Sequence, residues 1–582
     1  MSVADPRSAD ATPLRRALPT GPAAWRATVV ATIAVGTVLR VLAYSDRRSL
    51  WFDEVMLSLN VATRSCADLT RPLDYGQAAP VLFLCAQRLA VTVGGVNELA
   101  LRAIPLACGL ALLPLLWMAG RLLLGEREAL VALVLAALSP PLVYYSSEAK
   151  QYSGDACATA LLLWLAARVL RDPRDPAAWR WLALGGVASL ALSQPAVFVL
   201  AAIMVALLLA SGPKEKPELM RRRLSPTAAL WAATFLVLYV AVYRAAATPY
   251  MLRVWGETFL SPTAPDPGAR LYAAARAALV DGFRAPWPRP APRLVVAACL
   301  GYAVGIVSVW RRRGPPVVAL LTLPLAGALA ASTLALYPIG ARVLLFCAPP
   351  VFLAYGAALA GTIDAVLPDR DAGRRGARVP AFVAAVVLLA EWRLRPAWAD
   401  ASHPLRREDA REIVAGYVRR ASSDPVYVLA RAVPNWAFYT TDWHAPDRAR
   451  LAWMARLALP TSPAFENAPS RGRPVGREGD ALVYAARGRR ELIGIPSGME
   501  WHERVEWLRP RPDSGWAANE ARRVREAATS ARGYTWLFLT HYVDVQRDEL
   551  LEAIRRAGGR VVFLDQREGA VLYRVRFDDV PR

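Results

Sequence analysis

The chain has 582 residues, 55% of them hydrophobic, and a formal net charge of +22. That much apolar sequence, gathered in long runs, excludes an ordinary water-soluble protein and predicts a polytopic α-helical membrane protein. The basicity is almost wholly arginine, with Lys150, Lys214 and Lys216 as the only lysines. It is scattered through short loops, which points to anionic membrane lipids as partners and away from nucleic acid.

In chain order, residues 1–24 read as an N-terminal tail. Apolar runs near 25–44, 101–123, 127–144, 153–170, 177–193, 195–211, 228–246, 292–310, 316–336, 341–362 and 379–395 then read as about eleven spanning helices, give or take one. The first run is long and followed by others, as in a retained signal anchor. Short loops rich in arginine stay in the cytoplasm, and 168–180, 214–223, 311–313 and 370–378 fall on one side with the N-terminus. The opposite, external side receives the loop 45–100, the segment around Glu148, the stretch 247–291, the run Tyr337 to Arg342, and residues 396–582. The Ala, Leu and Arg bias fits a GC-rich bacterium, so the expected location is the bacterial plasma (inner) membrane.

Residues 396–582 lack spanning runs and read as a separate extracytoplasmic soluble α/β domain. Arg406–Arg420 has amphipathic helical spacing, 425–430 and 534–539 read as strands, and 546–557 as a helix before strands at 560–564 and 570–575. The middle, about 460–530, offers no clear element. The aromatic run Asn435 to Tyr439 either packs this domain's core or presents rings to a sugar.

All four histidines lie beyond residue 400, so proton transfer in the membrane region falls to carboxylates, lysine or tyrosine. The six cysteines show no metal-ligand spacing, and only Cys66 and Cys85 are placed to pair. A divalent cation (Mg, Mn or Ca) held by carboxylates stays open, with no spacing that requires one.

Within Leu50-Trp51-Phe52-Asp53-Glu54 two adjacent acids follow the first span. Carboxylates beside a bilayer ask for a functional reason. Phe52, Met56 and Leu59 recur at helical spacing, which predicts an interfacial helix with its apolar face toward lipid or bundle, and Asp53 and Asn60 facing a wet cavity. There Asp53 could serve as a base, with partial burial raising its pKa. The alternative is a pair of acids stabilising a helix N-terminus.

Tyr144-Tyr145-Ser146-Ser147-Glu148-Ala149-Lys150-Gln151-Tyr152 forms a second polar cluster on the same side. It resembles the Ser-x-Glu-x-Arg-x-Tyr element of aminoarabinose- and protein-mannose-transferase relatives, with Lys150 in place of arginine. Its plainer reading is an aromatic belt with a snorkelling lysine. Tyr337-Pro338-Ile339-Gly340-Ala341-Arg342 resembles a Tyr-Pro-x-x-x-Arg segment of related bacterial enzymes. Arg102, in Asn97 to Arg102, also lies in a family-like segment, although it could simply pair with Glu98. Gln194 departs from the pattern, standing where relatives often place histidine.

The order and common side of these motifs over residues 25–360 resemble the GT-C superfamily, most nearly glycosyltransferase family 39 and its protein-mannosyltransferase-like members. The resemblance implies a polyprenyl-phosphate-linked sugar as donor, a lipid, glycan or protein acceptor met on the external face, and inversion at the anomeric carbon. It implies Asp53 as base with Glu54 assisting substrate or structure. Arg342, then Lys150, then Arg102 are implied to bind the donor phosphate, with Glu148, Tyr152 and Tyr337 lining the substrate site. The C-terminal domain is expected to position the acceptor. A lipid or glycan transporter or flippase would instead favour paired repeats and broken helices. A non-catalytic scaffold would be indifferent to loss of Asp53.

Overall fold

A computed structural model describes residues 22–211, 218, 220–246, 255–260, 266–282, 291–367, 372–420, 425–457, 476–478, 481–486, 489–494, 499–502, 507–510, 515–529, 533–542 and 544–579. Residues 247–254, 261–265 and 283–290 of the stretch 247–291, most of the tail 1–24, and much of 460–530 lie outside these residues. Seven described helices are long and apolar enough to cross a membrane, which makes this a multi-pass membrane protein. Shorter apolar helices complete the bundle.

Helix α1 is Pro22–Ser45, followed by α2 (Phe52–Thr63), α3 (Val81–Gly94) and α4 (Glu98–Leu123). The run at 127–144, expected to form one span, is two helices, α5 (Glu126–Ala137) and α6 (Pro140–Tyr145). The reason is local: Ser139 accepts a cap bond from the Leu142 N–H, and the Pro140-Pro141 pair can begin a helix but cannot continue one. Then come α7 (Tyr152–Arg171), α8 (Pro176–Leu192), α9 (Ala196–Ala210), α10 (Ser225–Leu238), α11 (Pro267–Leu279), α12 (Pro292–Arg313), α13 (Pro315–Thr333), α14 (Ala348–Val366) and α15 (Ala372–Ser402). Helix α4 meets the turn between α6 and α7 so closely that a Cβ on Gly109 would lie 2.0 Å from Ser146 Oγ.

Beyond α15 the chain folds into a mixed sheet. Strand β1 (Val426–Leu429) lies parallel to β4 (Arg489–Gly494) on one side and β7 (Tyr534–Thr540) on the other. The order is β2-β3-β4-β1-β7-β9-β8, with β2 at Gly476–Glu478, β3 at Ala481–Ala486, β8 at Gly559–Arg567 and β9 at Ala570–Phe577, while β5 (Met499–His502) and β6 (Trp507–Pro510) form a separate antiparallel pair. Helices α16 (Ala410–Arg420), α17 (Val433–Thr440), α19 (Trp516–Thr529) and α20 (Asp544–Arg556) cover it, α18 being Arg448–Leu457. The amphipathic helix expected from Arg406 begins at Ala410, so 403–409 is a connecting strap.

The boundary between membrane and soluble parts is a shared core. Val55, Met56 and Leu59 of α2 and Phe83 and Leu84 of α3 pack in one apolar cluster with Ile413, Tyr417, Trp436 and Phe538 of the C-terminal part. Of the two surroundings expected for the apolar face of α2, lipid or protein, the structure shows protein. Asn60 faces no cavity, since its amide donates to the Met56 and Asp74 carbonyls and its oxygen accepts from the Asp74 N–H. Trp436 and Phe438 are buried, and Trp436 Nε1 donates to Glu491, which assigns that run to the core. The six cysteines are free thiols, Cys85 Sγ lying 3.9 Å from the Cys66 carbonyl.

The strap fastens the junction. Glu408 accepts from the Phe52 N–H at 2.8 Å and Asn435 Nδ2 at 2.6 Å, and lies 2.7 Å from His541 Nδ1, whose ring stacks on Phe52. Glu408→Ala leaves buried donors without partners and should destabilise the junction by about 2–3 kcal/mol. The expected readout is faster proteolysis at residues 403–409, with the bundle intact; cleavage at the wild-type rate would contradict it.

Candidate active site

Asp53 and Glu54 occupy the first turn of α2, where carboxylates favourably meet exposed N–H groups and the helix dipole. Neighbours in sequence point into opposite surroundings. Glu54 is wholly buried and holds Arg102 in a two-pronged pair, at 2.8 Å to Nε and 2.7 Å to Nη2. The carboxylate also accepts from the Ala149 N–H at 2.7 Å and reaches back to the Trp51 N–H. Arg102 spends its remaining donors on the carbonyls of Arg48 and Ser49. Burial alone would raise the Glu54 pKa, but Arg102 outweighs it and keeps the group below its usual range.

Asp53 lies on the other face of the turn with 17% of its side chain exposed. Lys150 Nζ donates to Oδ1 at 2.9 Å and Arg342 Nη1 to Oδ2 at 3.0 Å. Lys150 comes from the α6–α7 turn and also donates to Gln77 Oε1 at 2.7 Å. Arg342 comes from the segment between α13 and α14, its guanidinium 5.3 Å from the Trp255 ring and 5.8 Å from the Tyr152 ring. Two distant stretches of chain therefore converge on one carboxylate. The expected rise in the Asp53 pKa is overturned. Burial does push it up, but Lys150 and Arg342 together hold it at about 2.

The other sequence-derived residues divide in the same way. Tyr152 lines the Arg342 side of the cluster, packed edge-on against Tyr145. The Tyr337 hydroxyl donates to the Val343 carbonyl at 2.7 Å and its ring packs on Phe198 and Phe346, so it braces the segment that presents Arg342. Glu148 is fully buried, and among the described residues neither of its oxygens has a hydrogen-bond partner. Burial, then the charge of Glu54, lift its pKa against the pull of Arg407, Arg48 and Arg342. Arg102 faces Glu54 and not the Asp53 cluster, and Glu98, its suggested i,i+4 partner, pairs with Arg411 instead. Among the described residues no group of three or more His, Cys, Asp or Glu side chains converges as metal ligands would.

Sequence reasoning missed Arg48, Gln77, Trp255 and Arg407. Arg48 donates to the Ser147 hydroxyl and carbonyl at 2.9 and 2.7 Å, fixing the α6–α7 turn from which Lys150 projects. Arg407 lies over the Trp51 ring, 4.1 Å from its centroid. Their only sequence signal was position, on the same side as the motifs.

A buried ion pair punishes the loss of one partner more than of both. Arg102→Met should destabilise the protein by about 3–5 kcal/mol through the stranded Glu54 carboxylate. The Glu54→Gln, Arg102→Met double variant should recover at least part of that loss in thermal unfolding of the detergent-solubilised protein. A single variant as stable as wild type would show that the pair is not structural.

Residues 78–243 match the family described as dolichyl-phosphate-mannose-protein mannosyltransferase. No curated protein matches the chain in sequence. Among solved structures, ArnT from Cupriavidus metallidurans bound to undecaprenyl phosphate is similar with a TM-score of 0.54 at 10% identity, over 95% of this chain and 99% of that one. The apo form of the same protein gives 0.49 at 12% identity, over 94% and 97%. The apo oligosaccharyltransferase of Archaeoglobus fulgidus gives 0.47 at 14% identity, over 75% of this chain and 64% of that one. The fold match to ArnT over nearly the whole of both chains, together with the family match at residues 78–243, gives this chain a GT-C-like fold, a membrane bundle followed by a C-terminal α/β part.

Proposed function

We propose that the protein is a membrane glycosyltransferase that moves a sugar from a polyprenyl-phosphate donor to a hydroxyl or amine on the external face, with inversion at the anomeric carbon. The observation that carries this reading is the double pairing of Asp53 with Lys150 and Arg342. The family match at residues 78–243 and the fold shared with ArnT bound to undecaprenyl phosphate support the donor class. On this reading the bundle sits in a bacterial plasma membrane, N-terminus inside and C-terminal part outside, in keeping with the arginine-rich loops.

Chemistry follows from competition for two cations. A donor phosphate draws Lys150 and Arg342 from Asp53, which then keeps its burial but loses the charges that hold its pKa at about 2. The carboxyl becomes more basic at the moment a base is needed. Asp53 takes the proton of the acceptor, whose oxygen or nitrogen attacks the anomeric carbon from the face opposite the phosphate. As that bond forms the bond to phosphate oxygen breaks, and polyprenyl phosphate departs with one more negative charge, stabilised by Lys150 and Arg342. Glu54 and Arg102 keep α2 and its loop in place. The C-terminal part roofs the site and holds the acceptor over it.

Labelled polyprenyl-phosphate sugars offered with membrane extract to wild type and Asp53→Asn test this directly. Wild type should transfer label, and the variant should be slower by about 10²–10⁴-fold, the usual contribution of a positioned base. Equal rates would remove Asp53 as base. The pH profile carries a sign as well. Activity falls as Asp53 protonates, so the acid limb of kcat, which belongs to the loaded enzyme, should lie at higher pH than that of kcat/KM, which belongs to the free enzyme. Coincident limbs would mean that the donor does not release Asp53.

A further inference from the structure

Arg407 is a half-buried cation. It projects from the strap 403–409, its guanidinium over Trp51 at 4.1 Å and within 5.8 Å of the Tyr144 ring centroid. No carboxylate among the described residues lies within ion-pair distance of it. Yet Arg407 is no loose surface chain, because its neighbours are held on both sides, Arg406 before it pairing with Asp46 at 3.1 Å. Glu408 ties to the Phe52 N–H, and the Asp409 N–H donates to the Glu568 carbonyl at 2.8 Å. Gly569, at φ +61 in the β8–β9 turn, lies so close that a Cβ there would stand 1.8 Å from the Arg407 carbonyl oxygen. The fold spends glycine conformation and several hydrogen bonds on holding this residue beside Trp51, the residue that opens the Asp53 turn. Arg407 also belongs to the Asp53 cluster electrostatically, since its charge acts on Asp53, Glu148 and Arg342.

A half-buried guanidinium with no carboxylate in ion-pair reach among the described residues has donors to offer an incoming anion, and its planar fork fits phosphate. Charge then decides what it serves. In formal charge Glu54 is offset by Arg102 and Glu148 by Arg48; beyond these, Lys150 and Arg342 face the single charge of Asp53, an excess of one, which matches the single negative charge of a phosphodiester donor. Adding Arg407 makes the excess two, which matches the two charges of a phosphate monoester above its second ionisation near pH 6.

We propose that Arg407 is a leaving-group-binding residue, which takes up the second negative charge that the lipid phosphate acquires as the sugar departs. It would discriminate between the charge states of the phosphate and contribute little to holding the intact donor. The C-terminal part thereby supplies one cation to the membrane site. This rests on the lipid-phosphate reading of the Asp53 cluster.

The test needs no knowledge of the sugar. Binding of undecaprenyl phosphate and of its methyl phosphodiester is measured at pH 8 for detergent-solubilised, full-length wild type, R407Q and R407K, with thermal unfolding without lipid as a check on folding. R407Q should lose about tenfold or more in affinity for the monoester, equivalent to one charge-assisted contact, and less than about threefold for the diester. R407K, which keeps the charge, should stay within about threefold of wild type for both. In wild type alone, monoester binding relative to diester should tighten between pH 5 and pH 8 as the second phosphate proton leaves. Equal losses for the two lipids in R407Q, no loss, or a pH-independent ratio in wild type would overturn the assignment to Arg407 while leaving the donor class standing. Failure of wild type to bind either lipid would overturn the donor class, and this proposal with it.

Discussion

Glu54 cannot be charged and buried unless something compensates it, and the way it is compensated organises the site. A carboxylate removed from water carries a desolvation cost of several kcal/mol, offset only by close pairing and a full set of hydrogen bonds. Arg102 supplies the pairing from α4, Ala149 an N–H from the α6–α7 turn, and Trp51 another from the helix start. Arg102 in turn binds the carbonyls of Arg48 and Ser49. Helix α2, helix α4, the α1–α2 connection and the α6–α7 turn are thereby locked together around one buried charge. Asp53, one residue away, inherits a fixed position beside Lys150.

Two adjacent acids thus divide the labour through their surroundings. Glu54 has a partner it cannot lose without stranding a buried charge. Asp53 has two partners that an incoming anion can compete for, at the water-accessible edge of the same turn. The first arrangement gives rigidity, the second a carboxylate whose basicity depends on what else is bound. Because α2 and α3 share a core with α16, α17 and β7, the C-terminal part is built into the site's roof, and its strap reaches the start of α2 through Arg407 and Glu408.

The sequence displayed the fold class and much of the site, for identifiable reasons. Apolar runs mark a membrane bundle whatever the packing, and Asp53, Lys150 and Arg342 sat in short motifs on one side of it. Pairing was less accessible. Glu54 and Arg102 are 48 residues apart and Asp53 and Arg342 289 apart, and no local period encodes such contacts. The sign of the Asp53 shift was misjudged because burial could be guessed from position, whereas two cations on one carboxylate could not. The run 127–144 looked like one span because hydropathy is blind to a proline pair. Arg407 was concealed by helical spacing from Arg406 onward, which the ties of Glu408 and Asp409 override until Ala410.

The central claim is that donor phosphate takes Lys150 and Arg342 away from Asp53. An experimental structure with undecaprenyl phosphate bound measures this most directly, through the Lys150 Nζ–Asp53 Oδ1 and Arg342 Nη1–Asp53 Oδ2 distances, 2.9 and 3.0 Å in the present structure. The account predicts phosphate oxygens within hydrogen-bond reach of both cations and at least one of the two pairs opened. Phosphate bound elsewhere, with both pairs intact, would contradict it.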